Sequence, residues 1–171
     1  TETTMTTATK STATKSTAKP TPASKAPDAI ALLTADHQEV SDLFDEYEKT
    51  RSSAKKKRLV AQICTDLTVH AQIEEEIFYP AVRRALKDKE LVPEAAVEHA
   101  SIKSIIAQVE GAEPDGEEFE AKITVLHEYV KHHVKEEQNE MFPKAKSSNV
   151  DLAELGARLN QRKAELLAAR A

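Results

Sequence analysis

Three glycines and one cysteine in 171 residues, and no long apolar run, already narrow what this chain can be. Scarce glycine beside abundant Ala, Leu, Glu, Lys and Ile argues for helix almost throughout. A single cysteine excludes an internal disulfide framework and fits a reducing compartment. No apolar stretch approaches the ~18–20 residues that span a bilayer, so no membrane insertion is expected. The N-terminus has no apolar h-region of the kind a Sec-type signal requires. Together these features predict a soluble, cytoplasmic protein whose length suits one domain with a single core.

Charge is unevenly spread. Residues 1–27 hold four lysines and one glutamate, a net of +3, so the remaining chain carries −8 of the overall −5. An acidic globular part argues against nucleic acid as a partner. The same 27 residues repeat Thr-Ala-Thr-Lys-Ser at 7–11 and 12–16, then reach Pro20, Pro22 and Pro27, without one Leu, Ile, Val or aromatic residue. Such a segment cannot offset the entropy of ordering, and residues 1–27 are expected to be a disordered, solubilising tail.

Helical periodicity starts after Asp28, a good N-cap. Ile30, Leu33, His37, Val40, Phe44 and Tyr47 follow at 3/4 spacing, which is one face of a helix. A second helix presents Val60, Ile63, Leu67, His70, Glu74 and Ile77; a third, with Pro93 in its first turn, presents Ala95, His99, Ile102, Ile106 and Val109. Gly111 and Pro114-Asp115-Gly116 mark a turn. A fourth helix from about Glu117 presents Phe119, Ile123, Leu126, Val130, His133, Glu137 and Met141. Four amphipathic helices on short connections predict an all-α, up-down-up-down antiparallel four-helix bundle over residues 28–145. Residues 146–171 predict an accessory amphipathic C-terminal helix, with Leu152, Leu155, Leu159 and Leu166 on one side and Lys163 interrupting the stripe. That interruption predicts packing at a margin of the bundle rather than in its centre; a helix docked across the bundle or joined to a partner chain would look similar.

The histidines carry the chemistry. His37 follows Asp36, and about thirty residues on comes His70-x-x-x-Glu74; His99 follows Glu98, and at similar distance comes His133-x-x-x-Glu137. Periodicity puts all six of these residues on the buried stripes, where a carboxylate is costly unless paired or metal-bound. No large basic residue lies on the stripes to pair with them. Spacing i,i+4 puts each His and Glu on adjacent turns of one face, as chelation requires. Imidazole mixed with carboxylate suits iron, manganese or zinc. One structural zinc needs about four ligands; two ions bridged by Glu74 and Glu137, each with two histidines, use all six. The ferritin-type Glu-x-x-His pairing is absent, and His127-Glu128 fails as a zinc-protease signature because Lys131 occupies the second histidine position. No Ser/His/Asp triad or phosphate loop is visible.

Asp36-His37-x-x-Val40, His70-x-x-x-Glu74 with Ile77-Phe78-Tyr79-Pro80, Glu98-His99-x-x-Ile102, and His133-x-x-x-Glu137 with Met141-Phe142-Pro143 resemble the hemerythrin-like (HHE cation-binding) family over roughly residues 28–145. The resemblance implies a non-haem di-iron centre inside the bundle, with oxo or hydroxo bridging. By position, His37 and His70 would serve one iron and His99 and His133 the other, with Glu74 and Glu137 as bridging carboxylates. Oxygen-carrying hemerythrins have a further inward histidine four residues after the third-helix histidine; here that position is Lys103, and the counterpart after His37 is Ser41. The remaining set resembles a subgroup associated with peroxide decomposition. Open coordination positions follow from the missing ligand and favour reaction with small molecules.

The expected function is binding or sensing of O2, peroxide or nitric oxide, in the context of oxidative stress, by a monomer or small homo-oligomer. The alternatives are a catalase-like enzyme that decomposes hydrogen peroxide, and a structural or iron-reserve metal protein. Of the other candidates, Lys103 is expected to snorkel outward, and His132 to be solvated. His127 lies at a flank of the fourth stripe, Cys64 reads as an apolar filler, and Phe78 and Tyr79 as core, with a tyrosine that ligates or donates near iron as the alternative for Tyr79. Asp36 and Glu98 face sideways, either exposed or accepting from a ligand. Pro80 and Pro143 are expected to distort their helices past the site.

Overall fold

The structure, a computed structural model, describes residues 25–171. Of the tail assigned to residues 1–27, all but the last three lie outside the described residues. Asp28 opens α1 (Ala29–Lys49), its carboxylate accepting the Ala31 N–H at 2.8 Å, and Ser52 caps α2 (Ser53–Ile73) through the Lys55 N–H; both supply an acceptor for an otherwise orphaned donor. α2 continues through a π-helical turn, Glu74–Phe78, into α3 (Tyr79–Leu86), which ends at Lys87 in the left-handed region with φ 51°. Asp88 then caps α4 (Leu91–Val109), accepting the N–H groups of Leu91 and Val92 at 3.1 and 2.8 Å. α5 (Glu117–Glu136) likewise passes through a π-helical turn, Glu137–Met141, into α6 (Phe142–Ser147). Asp151 caps the final helix, α7 (Leu152–Arg170).

The two π turns correct the expectation that the prolines act only past the site. A proline ring clashes with the carbonyl four residues before it, which for Pro80 and Pro143 means residues inside each preceding turn. Widening that turn accommodates the ring: the Tyr79 N–H bonds the Glu74 carbonyl, and the Phe142 N–H the Glu137 carbonyl, each five residues back. The distortion therefore begins at the two glutamates themselves.

Buried apolar residues form two clusters, and the order in which each helix visits them gives the topology. The first joins Leu33 of α1, Phe78 and Val82, Ala95 of α4, and Met141 and Phe142; the second joins Phe44, Ile63, Ile106 and Leu126. α1 runs from the first to the second, α2 returns, α4 runs out again, and α5 returns. That alternation is an up-down-up-down antiparallel four-helix bundle. Between the clusters lies a layer of buried polar side chains: Asp36, His37, His70, Glu74, His99, His133 and Glu137.

α7 packs along α1 and α2 with Leu155 and Leu159 buried in the first cluster, so its seat is the outer face of this helix pair. A Cβ on Gly156 would come 2.5 Å from the Pro27 carbonyl oxygen, so only glycine permits the approach. Among the described residues there is no strand, and no helix is long and apolar enough to cross a membrane.

Candidate metal centre

All six sequence-nominated side chains meet in the polar layer. Four helices place them: α1 presents His37, α2 and its π turn His70 and Glu74, α4 His99, and α5 and its π turn His133 and Glu137. Their donor atoms fall into two groups, each within 4.8 Å: His37, His70, Glu74 and Glu137 in one, Glu74, His99 and His133 in the other. His70 Nε2 faces Glu74 Oε1, and His133 Nε2 lies 2.8 Å from Glu137 Oε1, so both i,i+4 pairs point one way. Glu137 Oε1 also lies 3.4 Å from His37 Nε2. The Nε2 atoms of His99 and His133 face each other at 3.1 Å. Both carboxylates thus border both groups.

The residues fit a pair of metal ions. His37 Nε2, His70 Nε2, both oxygens of Glu74 and Glu137 Oε1 are buried without a hydrogen-bond partner. Orphaned buried polar atoms are rare because each costs about 1–3 kcal/mol. Five of them converging on one layer are what a set of imidazole and carboxylate ligands looks like from the protein side.

Every imidazole in the layer is held by its other nitrogen. His70 donates from Nδ1 to Asp36 Oδ2 at 3.0 Å, and His133 from Nδ1 to Glu98 Oε2. His99 donates to Glu75 Oε1 and His37 to Gln138 Oε1, both at 3.0 Å. The pattern has a rule. The acid before each lone histidine grips the histidine of the following His-x-x-x-Glu, and the residue after each glutamate grips the lone histidine of the opposite half. The first half of that rule settles the role of Asp36 and Glu98; the second, Glu75 and Gln138, was missed by the sequence reading, although their position directly after Glu74 and Glu137 repeats in both halves. Such acceptors fix the ring orientation and leave Nε2 free to ligate.

A further ring of charge surrounds these acceptors. Lys163 of α7 reaches Asp36 Oδ1 at 2.6 Å, and Lys103 reaches both oxygens of Glu75 at 2.7 Å. Lys103 therefore does point outward, and it neutralises the acid that holds His99. Burial works against charge on Asp36 and Glu75, yet the His70 and Lys163 contacts in one case, and Lys103 and His99 in the other, hold both carboxyls below their usual range.

Within the layer the same contest is decided by proximity. Burial disfavours a charged imidazole at His70 and His133, but the glutamate and aspartate partners outweigh it and raise them to about 10 and about 11. Burial would raise Glu137, while its close contacts with the His133 and His37 imidazoles pull it well below the usual carboxylate range. His99, whose burial dominates, is lowered.

Tyr79 is not core alone: its hydroxyl lies in the layer, as the second of the two roles open to it in the sequence allows. Its hydroxyl is 3.2 Å from His99 Nε2, 3.3 Å from His133 Nε2, and donates to Glu137 Oε2 at 3.3 Å. Burial and then the charges of Glu74 and Glu137 push its pKa well above the usual value, so the proton stays on the oxygen. His127 is not part of the site: it stacks on Phe44 at 4.3 Å and faces Glu48. His132 is exposed, and Cys64 is buried in the second apolar cluster.

On the side of the second cluster a cavity of about 30 Å³ abuts all four histidines and is closed by Val40, Leu67, Ile102 and Val130. An open groove of about 280 Å³ between α1 and α5 shares His37, Val130 and Val134 with it.

Comparison with known proteins agrees with this geometry. A crystal structure of a hemerythrin HHE cation-binding domain-containing protein from Mycobacterium kansasii superposes with a TM-score of 0.70 at 21% identity, covering 84% of this chain and 89% of that one, which establishes a shared fold. A curated relative from Nostoc sp., named DNA nickase, is 31% identical over 111 residues; the match spans 65% of this chain and 31% of that protein, about a third of its length. The hemerythrin HHE cation-binding domain pattern matches residues 28–145, the segment that supplies all six side chains of the layer, and the chain belongs to that family.

Proposed function

We propose that this chain is a non-haem di-iron protein in which His37, His70, His99 and His133, with Glu74 and Glu137 shared between two positions, hold two irons and receive a small ligand such as O2, hydrogen peroxide or nitric oxide. The observation that carries the reading is the convergence on one layer of five buried donor atoms that no hydrogen bond satisfies. His37 and His70 serve one position and His99 and His133 the other, following the two groups of donor atoms. Iron held there would supply redox change and Lewis acidity.

The protein's own residues do the rest. Val40, Leu67, Ile102 and Val130 keep one side of the layer apolar and leave room for at least one water-sized molecule. The α1–α5 groove adjoins that space, and His37, held by Gln138, lines both. Tyr79 keeps a proton within hydrogen-bond reach of His99, His133 and Glu137.

Turnover of hydrogen peroxide is the second reading, favoured by Tyr79, a proton-bearing group inside the layer, and by Lys103 where oxygen carriers have a histidine. The nicking activity in the Nostoc protein's name belongs to a much longer chain. Here the net −8 over residues 28–171 is unfavourable to DNA.

Metal analysis of protein purified without added metal tests the assignment. About two irons per chain are expected from a ligand set of this size, with a sharp fall in His70→Ala and in His133→Ala; iron retained in both variants overturns the ligand set. Exposure of the reduced, iron-loaded protein to O2 and to hydrogen peroxide then separates the readings. Stable adduct formation without turnover supports the binder, and oxygen evolved over many turnovers supports the enzyme.

A further inference from the structure

A second group of metal-type donors lies outside the buried layer, on the α4–α5 face that α7 leaves uncovered. His132 and Glu136 are spaced i,i+4 on α5, and Glu98 faces them from α4; one donor atom from each lies within 4.8 Å of the others. His132 Nε2 is 3.2 Å from Glu136 Oε1 and 3.5 Å from Glu98 Oε1. Those separations exceed the ~2.7–2.9 Å of a charge-assisted hydrogen bond. They match the edge of a tetrahedron around one ion, about 3.4 Å for metal–ligand bonds of ~2.0–2.2 Å. Among the ion pairs of the described residues, no lysine or arginine joins Glu98 or Glu136; their cationic partners are His132 and His133 alone. Glu94, one turn before Glu98 on α4, adds a third carboxylate to the same face. An imidazole stationed between two carboxylates that no lysine or arginine pairs with is an arrangement of donors suited to chelation.

We propose that Glu98, His132 and Glu136 form an exposed site for a first-row divalent cation of the zinc type. One nitrogen and two oxygens supply three protein ligands and leave a fourth position to water, as in open zinc sites. Glu98 makes the site more than a surface chelate. Its Oε1 faces His132 while its Oε2 accepts from His133 Nδ1, so one carboxylate borders both the exposed ion and the buried layer. The site stands whether or not the buried layer holds iron.

Zinc titration of the full chain by calorimetry, carried out on protein as purified and on His132→Ala and Glu136→Gln variants, tests it. Both substitutions are at exposed or half-exposed positions and leave the six buried donors in place. The wild type is expected to take up one more zinc equivalent than either variant, with iron content unchanged among the three. Equal zinc uptake by all three proteins overturns the exposed site; an extra zinc equivalent in the wild type alone, with no iron in any of the three as purified, keeps the exposed site and overturns the buried di-iron assignment instead.

Discussion

A carboxylate buried with both oxygens unbonded, as Glu74 is, survives in a folded protein only if positive charge completes it. Here that charge comes from His70 and His133, both raised far above the usual imidazole value; under the proposed function it would come from metal. The side chains behind the histidines are accordingly as open to test as the six proposed ligands themselves. Asp36→Asn and Gln138→Ala leave Nε2 of His70 and His37 in place but loosen the rings, and each is expected to weaken metal binding by ~10–100-fold, read by competition with a chromophoric chelator. Lys163 works one step further out. Its loss leaves a buried aspartate oxygen without its partner, so Lys163→Met is expected to destabilise the fold by about 1–3 kcal/mol in a urea titration, although sequence periodicity presents it only as a blemish on the α7 stripe.

Elements show where local rules hold and where packing overrides them. Asp88 is a local rule at work: its carboxylate, buried little, is lowered because the Val92, Leu91 and Glu90 N–H groups together outweigh burial. A carboxyl depressed on folding stabilises above its unfolded value, near 3.8, and loses that contribution as pH falls through the folded value. Asp88→Ala should therefore cost about 1 kcal/mol at neutral pH, and the difference from wild type should vanish as pH drops below about 4; a gap that persists in acid would show that capping charge is not its source. Gly156 is the opposite case. In an isolated helix Gly→Ala gains up to ~1 kcal/mol, but the backbone of residues 27–29 lies 2.5–2.8 Å from the added Cβ. Thermal unfolding of Gly156→Ala is expected to show a lower, not higher, midpoint. The two π turns belong with Gly156: Pro80 and Pro143 are plain in the sequence, yet the turns they require begin six residues earlier, at the glutamates.

The whole molecule is two apolar cores on either side of a charged layer, and it coheres only as well as that layer is neutralised. Metal bound to the folded state and not the unfolded one stabilises by mass action, about 2.7 kcal/mol at a hundredfold excess over Kd, so chelation should lower the melting temperature of the wild type and leave a His70→Ala, His133→Ala double variant unmoved. Legibility follows the same division. Four helices, their antiparallel order and the six inward donors were readable from Ile30 to Met141 because helical period and the i,i+4 rule act within one segment. The doubled His-x-x-x-Glu needs no partner helix to be seen. Which acid holds which histidine, the Tyr79 hydroxyl among the donors and the reach of Lys163 from α7 depend on separations of 20 to 127 residues in the chain. Sequence alone determined which atoms face inward; only tertiary packing decided what each one meets, because contacts between helices are set by how the stripes interlock and not by the period of any one of them.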